Sequence, residues 1–139
     1  MAQNPRVIQA GEEISFLVKQ MTIKKMSQPL MAGGNPIHWD DEYAKKSGLP
    51  APIATGMMST AFLSQMLTKY FGLDWVKGGR LSFTFVKPVF AGDTLTCRGL
   101  VKERTTEGSQ ANLVLVVWCE NQHREKVTVG EAAVSVSVG

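Results

Sequence analysis

Apolar positions recur with two different periods along the chain, and the change of period divides it near residue 80. Before that point the main signal is helical. Ile53 to Phe71, "IATGMMSTAFLSQMLTKYF", carries Met57, Met58, Ala61, Phe62, Met66, Leu67, Tyr70 and Phe71 at steps of three and four, and Gly72 closes it. The apolar face is too wide for a surface helix, so this helix is expected to be wrapped. Thr55, Ser59, Gln65, Thr68 and Lys69 are assigned to its other sides. After residue 80 the period falls to two. "RLSFTFVKPVF" sets Leu81, Phe83 and Phe85 against Ser82 and Thr84, and "VTVGEAAVSVSV" sets Val134, Val136 and Val138 against Ser135 and Ser137. Between them, "TLTCRGLVKER" and "ANLVLVVWCEN" read as two more strands, the second apolar enough to be central. "AGD" and "TTEGSQ" are the expected turns, and Gly130 is the candidate for a bulge.

The first fifty residues are weaker. Residues through Gly11 read as a loose arm, and Ile14 to Val18 as a short strand. "MTIKKMSQPLM" is expected to be irregular or a short helix broken at Pro29. "DDEYAKKSG" has the marks of a short helix, with Asp40 as N-cap, acids in the first turn, lysines in the last and Gly48 just beyond. One long apolar helix with five antiparallel strands is an α+β layout in a single domain over 1–139, the sheet curling round the helix. Such a sheet leaves an edge strand bare, and edge-to-edge dimerisation would cover it.

Composition adds exclusions. With 44% apolar and 19% charged residues the chain is an ordinary soluble globular protein. The net charge of +3 is spread along the sequence rather than massed, which speaks against nucleic acid. Cys97 and Cys119 lie in apolar strand-like runs and are expected to be buried free thiols. There is no signal-like apolar run and no stretch of the ~20 apolar residues a membrane span needs, so the expected location is the cytoplasm.

The candidate chemistry centres on "AGGNPIHWDD", residues 32–41, which holds one of only two histidines. His38 with Asp40 and Asp41 matches no standard metal spacing, and His123 sits far away in a polar hairpin, so no metal is expected. No GxSxG elbow is present, and neither cysteine has polar neighbours to activate it. A histidine held by an Asn-Pro turn fits proton transfer better, because imidazole gains and loses a proton near neutral pH. Downstream, "PAPIATGMM" places a glycine where free backbone N–H groups at a helix start can hold an oxyanion or thioester carbonyl.

"NPIHWDDEYAKKSGLPAPIATGMM" followed by "RLSFTFVKPVFAGDTLT" resembles the MaoC-like, (R)-specific enoyl-thioester hydratases of the hotdog fold, from about Ser27 to about Val101. The N-P-hydrophobe-H-x-D turn, the P-I-x-x-G helix start and the F-x-x-P-V-x-x-G-D strand turn occur in the family's order. The resemblance implies a hotdog domain that adds water to an enoyl-CoA or enoyl-carrier thioester, or removes it. It needs no cofactor, and it works as a homodimer or beside a homologous hotdog subunit. It makes His38 catalytic and places Asn35, Thr55, Gly56 and Ser64 at the substrate. Two positions depart from the family. Its water-activating Asp maps onto Gly33, and its His-Gly at the helix start is Thr55-Gly56. Three explanations follow for Gly33: another carboxylate such as Asp40 or Asp41 substitutes, a partner subunit supplies the pair, or the chain binds thioesters without turning them over or performs different chemistry that needs only His38 and the oxyanion hole. The methionine stripe is expected to be mainly core, with some side chains free to line an acyl tunnel.

Overall fold

The computed structural model describes residues 4–28 and 33–138. Five strands form one antiparallel sheet in the order β1-β3-β4-β5-β2. They are β1 Leu17–Gln20, β2 Arg80–Phe85, β3 Thr94–Glu107, β4 Gln110–Glu120 and β5 Lys126–Ser137. The period-two signal of the second half is realised throughout β4, where Ala111, Leu113, Leu115, Val117 and Cys119 all point inward and are buried. The run read as a central strand is the middle of the sheet.

Among the described residues four α-helices accompany it: α1 Ile23–Met26, α2 Asp41–Lys46, α3 Gly56–Phe71 and α4 Leu73–Gly78. Helix α3 lies on the inner face of the sheet and buries Met58, Leu63, Met66, Leu67 and Phe71 there. Each fully buried apolar side chain of this size contributes roughly 1.5–3 kcal/mol relative to exposure. The expected wide apolar face is therefore rotated. Met57 is 59% exposed, whereas Ser59, assigned to the outer side, is buried.

Other expectations are corrected. The long helix starts at Gly56, not Ile53, because Ile53 forms a bridge with Phe90 and Ala54 donates its N–H to the Val89 carbonyl at 2.8 Å. The N-terminal arm is anchored rather than loose. Arg104 donates to the carbonyls of Ile8 and Arg6, each at 3.0 Å, and Ile8 is buried. The first strand starts at Leu17 rather than Ile14, and the expected break at Pro29 lies outside the described residues. Helix α4 gave no sequence signal of its own. Gly72, at φ 64, ends α3 and starts α4, which buries Trp75. Gly130 is not a bulge. It pairs regularly with Phe83, and a Cβ there would meet the Ser82 carbonyl at 2.2 Å, so the strands approach too closely for a side chain. The register instead shifts at Val101/Glu103 in β3 and at Cys119/Glu120 in β4.

Strand β2 is a bare edge. Its inward side chains Phe83 and Phe85 are 40% and 52% exposed, beside exposed Val86 and Met57. No helix among the described residues is long and apolar enough to cross a membrane.

Candidate active site

Residues 36–38 form a single 3-10 turn whose geometry follows from its sequence. Asn35 Oδ1 accepts the Ile37 N–H at 3.2 Å, and Pro36 occupies the first position, where its fixed φ suits the turn. The turn is pinned to the chain that leads into α3. Ile53 donates its N–H to the Ile37 carbonyl at 3.1 Å, and the Ile53 carbonyl lies 2.7 Å from His38 Nδ1. A carbonyl oxygen only accepts, so Nδ1 carries the proton. In the neutral ring, Nε2 is left with a free lone pair. His38 is half-buried and held in the one tautomer that makes Nε2 a base.

The same segment sets the start of α3. Thr55 is the N-cap by backbone position but makes no side-chain capping bond, so its hydroxyl is free. Among the described residues, no protein acceptor stands opposite the Gly56 N–H. That N–H sits at the positive end of a 16-residue helix, which favours an oxygen that gathers negative charge. Gly56 packs closely under Phe85: a Cβ there would lie 2.4 Å from the ring, which would have to swing aside.

Two recesses meet at this point, with Phe85 between them. One, of about 340 Å³, runs from Ile53 through Gly56 to Ser59, Val89 and Thr128. The other is an apolar groove of about 510 Å³ between α3 and β2, with Met57, Ser64, Phe83 and Phe85 in its wall. Thr55 and Gly56 line both. The only cation along the first recess, Lys87, is paired with Glu125, whose carboxyl is held below the usual carboxylate range first by that ammonium and then by Asn121.

Of the residues singled out in the sequence, Thr55, Gly56 and Ser64 thus meet in one groove, whereas His38 lines neither recess and is joined to the first through its bond to the Ile53 carbonyl. Asn35 spends its side chain on the turn that carries His38. Gly33 is exposed at φ +62. Of the neighbouring carboxylates, Asp40 Oδ1 caps α2 by accepting the Tyr43 N–H at 3.0 Å, and Asp41 pairs with Lys45 at 2.8 Å on the surface. His123 is exposed in the β4–β5 hairpin and lines neither recess. Ser59, Phe85 and Thr128 were missed. Ser59 had a usable signal, since it lies three residues after Gly56 and so on the same helix face. Thr128 had none, because only the register of β5 brings it there.

Comparison with known proteins follows this geometry. Residues 30–119 match the profile of the MaoC-like domain. Similar solved structures include the (R)-hydratase from A. caviae involved in PHA biosynthesis, at 26% identity and TM-score 0.76, covering 92% of this chain and 96% of that one. R-hydratase PhaJ1 from Pseudomonas aeruginosa is 21% identical with TM-score 0.77, covering 95% and 88%. The HadBC (3R-hydroxyacyl-ACP dehydratase) complex from Mycobacterium tuberculosis is 20% identical with TM-score 0.65, covering 94% and 99%. No curated protein sequence matches significantly. The architecture is the hotdog fold, with the sheet wrapped on α3.

Proposed function

The chain belongs to the MaoC-like domain family, and from that premise we propose that it is a hydro-lyase acting on an acyl thioester, as a homodimer or beside a homologous hotdog subunit. The observation that carries this reading is the His38 Nδ1–Ile53 carbonyl bond, which fixes Nε2 as an acceptor on the same segment that sets the Gly56 N–H.

The thioester oxygen accepts from the Gly56 N–H, which draws electron density out of the conjugated double bond. A water molecule donates its proton to His38 Nε2 as its oxygen bonds to C3. The π electrons move to the thioester oxygen and form an enolate. Return of the proton from the imidazolium to C2 re-forms the carbonyl and completes hydration, and the reverse sequence is dehydration. Thr55 and Ser64 hydroxyls line the groove along which the thioester would lie. The exposed apolar edge of β2 supports pairing with a second hotdog subunit.

A second reading has its own support. Gly33 brings no carboxylate, and Asp40 and Asp41 are engaged elsewhere. On that reading the chain binds acyl thioesters without turnover, as the partner of a complete subunit. Loss of conjugated thioester absorbance on mixing with crotonyl-CoA separates the two. The hydro-lyase reading requires turnover that falls in His38→Ala. Tight binding with no turnover, unchanged by that substitution, supports the partner reading.

A further inference from the structure

The recess below Gly56 contains two hydroxyls whose placement a purely apolar acyl pocket does not explain. Ser59 is 4% and Thr128 1% exposed, and they are the only buried polar side chains among the described residues. Neither has a hydrogen-bond partner among the described residues. Thr60, one residue further on, instead turns its hydroxyl back to the Gly56 carbonyl at 3.3 Å. Among buried polar side-chain atoms of the described residues, only the Tyr70 hydroxyl is fully sealed without a partner. The Ser59 and Thr128 hydroxyls therefore open onto the recess they line.

Their positions relative to Gly56 define what they meet. Ser59 stands about one helical turn, roughly 5.4 Å, along the same face of α3. Thr128 approaches from the sheet, in register with Phe85 on one side and Cys119 on the other. The rest of the wall is mainly apolar, from Ile53, Ala54, Val86, Pro88 and Val89, with Thr55 beside Gly56 as a third hydroxyl. Lys87, the one cationic side chain along the recess among the described residues, is paired with Glu125. An acyl chain leaving a thioester oxygen at Gly56 passes these hydroxyls a few carbons beyond the thioester carbon. Buried hydroxyls that lack a protein partner disfavour a plain methylene and favour a group that can exchange hydrogen bonds with them.

The geometry points to a specificity subsite in which Ser59 and Thr128 select acyl thioesters that carry a neutral hydroxyl or carbonyl oxygen at C4 or beyond, in addition to any oxygen at C3 that the reaction itself adds or removes. The inference rests on thioester binding at Gly56 as proposed above. Its test reads binding rather than turnover, using two saturated esters that cannot be hydrated. Calorimetry compares pentanoyl-CoA with levulinyl-CoA, in which a ketone replaces one methylene. The wild type is expected to prefer levulinyl-CoA by about fivefold, the ratio for one hydrogen bond of ordinary strength. Thr128→Val, which keeps shape, and Ser59→Ala are each expected to cut that preference severalfold while leaving pentanoyl-CoA affinity equal or higher. Equal binding of the two esters by the wild type would overturn the subsite and leave thioester binding intact. So would a preference that survives both substitutions, as would hydroxyls satisfied by water alone. Failure to bind either ester would overturn the thioester reading as well.

Discussion

Phe83 on the bare edge of the sheet offers the sharpest test of assembly. It is 40% exposed in the single chain, although it faces the helix side with Phe85. For an aromatic side chain of roughly 200 Å², that leaves about 80 Å² of apolar surface for a partner to cover. At about 25 cal/mol per Å², covering it contributes about 2 kcal/mol per copy and about 4 kcal/mol in a two-fold symmetric dimer, where the contact occurs twice. Phe83→Ser should then weaken dimerisation by about a thousandfold. Sedimentation equilibrium over a wide concentration range reads this directly, with circular dichroism to verify that the variant is folded. A wild type that stays monomeric at tens of micromolar would refute self-pairing at this edge. A dimer whose dissociation constant is unchanged by Phe83→Ser would place the interface elsewhere.

Gly33→Asp restores a carboxylate five residues before His38, where a Cβ meets no atom within 4 Å. Turnover of crotonyl-CoA is expected to rise at least about tenfold. The φ of +62 adds strain of about 1 kcal/mol, read as a slightly lower melting temperature. Leu63→Ala, at a fully buried position beneath α3, should cost about 2–5 kcal/mol in urea denaturation. Cys97 and Cys119 are free and fully buried with sulfurs 3.3 Å apart, and the hydrogen bond between them followed by burial pushes the Cys119 thiol upward. Neither should react with a thiol reagent in the native protein, and both should react after denaturation, as intact mass would record.

Much of the fold could be read in advance, because its signals are periodic and local. The strict alternation around Val134 and Val136 and the helical stripe ending at Phe71 each name a face without reference to the rest of the chain. The caps of α2 were equally visible, since Asp40 and Gly48 act on their immediate neighbours. What escaped depends on tertiary contact. The first turn expected at Ile53 is lost to a bridge with Phe90, and the rotation of α3 that buries Ser59 instead of Met57 is set by the sheet. At the candidate site, the turn and helix-start sequences singled out His38 and Gly56. Only the structure places the Ile53 carbonyl on Nδ1, commits Asp40 and Asp41 to other contacts, and brings Thr128 opposite Ser59.

The central claim is that His38 moves a proton on a thioester held at Gly56. The most direct test is the rate of crotonyl-CoA hydration by wild type and His38→Ala at equal, saturating substrate, with ester affinity measured in parallel. The expected result is measurable wild-type turnover that falls by about a hundredfold or more, while affinity changes little. Equal turnover in the two proteins would contradict it.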